Sequence, residues 1–260
     1  MKVLGLMCDG QYRDMQNYLH EQKESITSVN MVGEVAIFLQ QIFQSRNITP
    51  ETIKALHQIL QTLIEMCVGN FANQEVIFNK QIMTIINHVL QLDITNINMH
   101  LDEHFVRATE DVSCSNISDP EFDAELYLQQ QMKPRMKPLE KPIDMRRKAL
   151  DLKGSAVELL EAMLEETDHK TKDLARQIAG GLDTNAIQCS LVDFYHLAYE
   201  DKEIKDAECD DNAERALFRS YHILKRLQDF QIGVDDLSKF KKCVHRLKIN
   251  VTFLAYMVVF

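Results

Sequence analysis

Tryptophan is absent from this chain of 260 residues, and glycine (8) and proline (5) are scarce. So few turn-formers leave little room for the many tight reversals of a β-sandwich or barrel, and the composition favours helices. The six cysteines, Cys8, Cys67, Cys114, Cys189, Cys209 and Cys243, include no CxxC pair. They read as reduced thiols in a cytosolic setting rather than a disulfide framework. The sequons at Asn47, Asn116 and Asn250 would matter only in a secreted protein. The apolar start is interrupted by Asp9, too early for a signal h-region. The most apolar run, residues 249–260, is shorter than the ~20 residues a membrane helix needs, so no membrane span is expected.

Several chemistries lack their motif. Neither GxGxxG nor GxxxxGK[ST] is present to cradle a phosphate, nor HExxH, GxSxG or a zinc-spaced Cys/His set. The acidic run 201–211 lacks the glycine and the closing glutamate of an EF-hand loop. The histidines are dispersed, and nothing assembles a nucleophile, base and orienter, so no enzyme is expected. A net charge of −10 repels a phosphate backbone and argues against nucleic acid as a partner. Cations, or a basic surface on another protein, suit it better.

What is present is helical periodicity. A first helix is expected over residues 3–20, with Tyr12, Met15 and Leu19 on one face. Its other face carries Gln11, Arg13, Asp14, Gln16 and Asn17, more polar groups than packing alone requires. A second helix follows at 29–44. Thr49-Pro50-Glu51 starts a third: a cap, a proline at the first helical position and an acid at the positive end. That helix should stop near Gly69-Asn70, and the pattern repeats over 75–91. The apolar faces are too broad for lone amphipathic helices and suit helices sandwiched between neighbours.

Residues 93–142 break the rhythm, acidic first, then basic with Pro134, Pro138 and Pro142. They are expected to be a long disordered insertion. Helices resume from Asp144 to about Glu166, from Lys170 to Gly180-Gly181, and from a cap at Asp183 or Thr184 to Tyr199. A charged loop at 201–211, a helix broken at Gly233 and a last helix at 235–247 complete the reading. The expected fold is all-α, an armadillo-like α-solenoid, in three parts: a helical block at 1–92, the insertion at 93–142 and a second helical block at 143–260.

CDGQYRDMQNYLHEQ, beginning at Cys8, resembles the opening of the helical region shared by inositol trisphosphate receptors and ryanodine receptors, roughly C-E-[GN]-H-N-R-D-[LF]-Q-N-[FY]-L-R-x-Q. Cys8, Arg13, Asp14, Gln16, Asn17, Tyr18, Leu19 and Gln22 match in order. LQTLIEMCVGNFANQEVI resembles the family's TL-x-SLTEY-x-QGPC-x-x-NQ through Leu60, Thr62, Leu63, Glu65, Gly69, Asn73 and Gln74. LDLKGSAVELLEAMLEE is similar to the L-x-LK-x-NASKLLLA-x-MES helix of the trisphosphate receptors, and so points to that branch. Together these elements run from about Leu4 to Glu166.

The resemblance implies a cytosolic regulatory segment of an intracellular calcium-release channel, on the cytosolic face of the endoplasmic reticulum. It would relay conformational change toward a pore, and the chain would be a fragment or truncated form. Its partners would be the remainder of a channel subunit and the neighbours of a homotetramer. The resemblance also implies a Ca²⁺ site, because the family's two ligating glutamates fall here on Asp9 and Glu65. Arg13, Asp14, Gln16 and Asn17 would hold the first helix in register. Three positions depart from the family: Asp9 is one methylene shorter than the glutamate, Gln11 stands for a histidine and Val68 for a glutamine. Two rival readings stay open: an ion-independent helical-repeat interaction scaffold, and an all-α enzyme or small-GTPase regulator.

Overall fold

A computed structural model describes residues 1–44, 49–92, 142–165, 169–200, 207–234 and 237–240, and all of the regular structure among them is helical. The helices are α1 (Lys2–Cys8), α2 (Arg13–His20), α3 (Met31–Gln44), α4 (Pro50–Cys67), α5 (Phe71–Asn79), α6 (Ile82–Leu90), α7 (Pro142–Met163), α8 (His169–Gly180), α9 (Thr184–Tyr195) and α10 (Ala207–Asp229). A π-turn, His196–Glu200, extends α9, and a 3₁₀ turn occupies Ser238–Phe240.

Residues 1–92 and 148–260 make one compact unit. Residues 93–147 make a second, of which only the first residues of α7 are described. The expected insertion, apart from Pro142, lies outside the described residues, as do the apolar run 249–260 and most of the helix expected at 235–247.

Local chemistry sets most of the boundaries. The Thr49 side chain accepts from the Thr52 amide and Pro50 occupies the first turn of α4. Gly69, at φ +66°, adopts the left-handed conformation just beyond the end of α4, as a helix-terminating glycine does. The Asp183 side chain accepts from the amides of Asn185 and Ala186 to start α9.

Three expectations are corrected. The single helix at 3–20 is two, because Gly10 (φ +69°) and Gln11 (φ +59°) both turn left-handed. Tyr12 precedes α2 and is exposed, so the packing face of that helix is Gln16 and Leu19 instead. The helix at 75–91 is α5 and α6, broken at Gln81 (φ +56°), where the Gln40 side chain donates to the Lys80 carbonyl. No glycine or proline marks that break. The charged loop ends earlier than expected, since α10 begins at Ala207; charge alone does not stop a helix.

In the compact unit α4 packs against α1 and α3, α3 also against α2, α5 and α6, and α9 against α6 and α10. Its core takes Leu39, Ile59, Leu63, Met66 and Ile86 from the first block and Leu159, Leu160, Ile187, Phe194 and Leu224 from the second. Direct bonds join the blocks. Gln61 Nε2 donates to Ser155 Oγ at 2.9 Å, and Gln74 Nε2 donates to the Ala162 carbonyl at 2.9 Å.

Candidate functional site

The site is built where α4 ends. A helix leaves its last four carbonyls without intrahelical partners, and here all of them are met. The Ile64 carbonyl accepts from the Val68 amide and the Cys67 carbonyl from the Asn70 amide, both at 2.9 Å. The Glu65 carbonyl accepts from Gln16 Nε2 at 2.8 Å, and the Met66 carbonyl from Asn73 Nδ2 at 2.7 Å. Beyond the helix, Val68 O also accepts from Gln16 Nε2 at 3.2 Å, and Arg13 donates to the Gly69 carbonyl. Asn70 Nδ2 donates to Asn17 Oδ1 at 3.0 Å.

Gln16, Asn70, Asn73 and Gln74 are buried, and together these groups form a side-chain cap on α4. This explains the excess of polar residues on α2: Arg13, Gln16 and Asn17 all bond to residues 65–70. Asp14 is exposed and lines a surface cleft with Tyr18 and Glu21.

The cap fixes Glu65 in the last turn of α4, while the left-handed pair Gly10 and Gln11 leaves Asp9 at the end of α1. Both carboxylates line one cavity of about 490 Å³, and Gln11 and Val68 line it too. Its other walls come from α7 and the residues after it (Glu158, Glu161, Glu165) and from α10 (Arg219, Arg226).

Glu158, Glu161 and Glu165 are spaced three and four apart, as are Arg219, His222 and Arg226; the first two glutamates share one face of α7 with Glu165 just past its end, and the basic set lies along one face of α10. The two sets meet. Arg219 Nη2 is 2.7 Å from Glu158 Oε1, its Nε is 3.0 Å from Glu161 Oε2, and His222 Nδ1 donates to Glu161 Oε1 at 3.4 Å. Glu165 Oε2 accepts from the Gly69 amide at 3.1 Å, and Arg226 donates to the Leu164 carbonyl. None of these second-block residues was singled out from the sequence. The signal available was the matching pair of three-and-four spacings.

Charge inside the cavity is uneven. Burial pushes the Glu161 carboxyl up, but the bond from His222 and the charges of Arg219 and His222 outweigh it and hold the group below the ordinary carboxylate range. Glu65 is pushed the other way, first by burial, then by the negative charges of Asp9 and Glu158. Burial likewise raises the Cys8 thiol, with Glu65 adding to it, and raises Cys67 further. Both thiols are buried and unpaired, which suits packing rather than reactivity.

A testable consequence follows for Glu65. Its folded-state pKa lies above the unfolded one, so its favourable contribution is present at low pH and is lost as pH rises through the folded value. Glu65→Gln should therefore raise the urea midpoint at pH 7.5 and leave it nearly unchanged at pH 4. A variant less stable than the parent at pH 7.5 would contradict the repulsion.

Carboxylate oxygens are the donors a hard cation such as Ca²⁺ prefers. Asp9 and Glu65 could supply part of its shell. Glu158 and Glu161 are engaged by Arg219, and among the described residues no group of three or more His, Cys, Asp or Glu is arranged to hold a metal ion.

Residues 1–90 match the family described as RyR and IP3R Homology associated. That family is non-catalytic, and the match is to the family as a whole rather than to either branch. The matched stretch ends with α6, so it contains Asp9, Glu65 and the cap on α4 but neither the acidic residues of α7 and its end nor the basic stripe of α10. No curated protein and no solved structure matches the chain. Among the described residues no helix is long and apolar enough to cross a membrane.

Proposed function

We propose that the chain is a cytosolic coupling segment of an inositol trisphosphate receptor-like calcium-release channel, at the endoplasmic reticulum, contributing part of a Ca²⁺ sensor through Asp9 and Glu65. The observation that carries this reading is the shared cavity. Asp9, Gln11, Glu65 and Val68, taken one by one from two motifs far apart in the chain, line the same walls.

Two carboxylates offer at most a few of the ~6–8 oxygens that Ca²⁺ takes, so water and a neighbouring part of a channel subunit would complete the shell. Such a divided site has different affinities when its two sides approach or separate, and only that difference lets a ligand bias a gate. The helices would stack as an armadillo-like solenoid, a form able to carry the movement along its length. A homotetramer of whole subunits would be its setting.

The test is a calorimetric titration of Ca²⁺ into the chain and into Glu65→Gln, with Mg²⁺ as the competing ion. The parent should bind weakly, with a dissociation constant on the order of 10⁻⁴–10⁻³ M, the range of low-affinity calcium sites. The variant should bind at least tenfold more weakly. Equal heats from both would remove Ca²⁺ from the reading. The ion-independent scaffold is favoured by one specific observation: Arg219 already supplies positive charge to the same cavity. A parent chain indifferent to Ca²⁺ would select it.

A further inference from the structure

A second cavity, of about 590 Å³, lies among α3, α4, α6 and α7. Its volume falls in the range of ~300–1,000 Å³ typical of small-molecule sites. Ile53, Leu56, Ile85 and Leu152, all buried, form its floor. Gln40, Thr52, Gln81, Thr84 and His88 give it polar edges. Although 26% of the chain is charged, no Asp, Glu, Lys or Arg is among the described residues of the lining. A charged ligand would lose hydration there and find no counter-ion among those described residues.

One polar group on the edge has a defined role. His88 Nδ1 lies 2.7 Å from the Thr84 carbonyl oxygen, which can only accept, so Nδ1 carries the proton. In the neutral ring Nε2 is then an acceptor. The Phe43 ring, its centroid 5.8 Å away, packs tilted against the imidazole and helps fix it.

We propose that this cavity binds a small neutral amphipathic molecule, with an aliphatic body among Ile53, Leu56, Ile85 and Leu152 and a hydroxyl donating to His88. The site is separate from the Asp9–Glu65 cavity, with no described lining residue in common, and does not depend on the calcium reading.

The probes are 1-octanol and octanoate, which share a chain length and differ in the head group. Each is titrated calorimetrically at pH 8 into the whole protein. Octanol should bind saturably at one site per chain, and octanoate at least tenfold more weakly. Thr84, exposed at the edge, is the place to close the opening without touching the core. Thr84→Trp should abolish octanol binding and keep the parent's melting temperature. His88→Phe, which keeps a ring but removes the acceptor, should narrow the preference for alcohol over carboxylate. Absence of saturable octanol binding up to its solubility overturns the proposal. So does octanoate binding as tightly as octanol, which needs no variant to read, or octanol binding unchanged by Thr84→Trp.

Discussion

Replacing Asn73 with leucine should lower the unfolding free energy by about 3 kcal/mol, because the buried Met66 carbonyl loses its donor, at roughly 1–3 kcal/mol, while the Gln16 carbonyl loses the second of its two donors and His20 its acceptor. Asn73 is 0% exposed. Its Nδ2 donates to the Met66 carbonyl at 2.7 Å and to the Gln16 carbonyl at 3.2 Å, and its Oδ1 accepts from His20 Nδ1 at 2.8 Å. Leucine fills much the same volume, so the loss comes from polar groups stranded out of water rather than from an empty space. The melting temperature should fall by roughly 6–12 °C in a domain of this size. Asn17→Ala is the control. Asn17 is exposed, water can replace its bond to Asn70, and the change should cost less than about 1 kcal/mol. Urea denaturation of the three proteins decides the matter; similar midpoints for Asn73→Leu and the parent would mean the cap on α4 adds nothing to stability.

The second large effect belongs to Lys153. Its side chain is 2% exposed and its Nζ lies 2.8 Å from Asp193 Oδ2, joining α7 to α9. Removing one partner of a buried pair leaves an uncompensated charge, at about 3–5 kcal/mol. Asp193 is 39% exposed, so water reaches the pair and Asp193→Ala should cost less, roughly 2–3 kcal/mol. Adding Lys153→Met to that variant should restore most of the loss, since an apolar chain of similar length can occupy the same channel without a counter-ion. A double variant no more stable than Asp193→Ala would show that Lys153 is stabilised by something other than its carboxylate.

The elements legible in the sequence were those whose ends are written in local chemistry. Thr49-Pro50 announced α4, Gly69 ended it, and Gly180-Gly181 followed by Asp183 separated α8 from α9. The break at Gln81 was illegible because it depends on a partner from α3, and a residue at positive φ without glycine leaves no mark. The candidate site divides in the same way. Asp9 and Glu65 could be picked out by resemblance, and the polar excess on α2 was visible as an excess. Its purpose, capping the end of another helix, appears only once α2 lies against α4. Arg219 and Arg226 left only the three-and-four spacing they share with His222, since nothing local distinguishes an arginine facing an acidic cavity from one facing water.

The walls around Glu65 have a consequence for how the polypeptide is made. Their first half emerges from the ribosome with α1 and α4, and their last with α10. At ~5–20 residues per second, the interval between them is on the order of 10 s. For the first part of that interval, until α7 and then α9 are made, the nascent chain holds the apolar surfaces of α4 and α6 uncovered. Its early life is therefore one of waiting, in which a chaperone able to shield those surfaces would govern yield more than the final stability does.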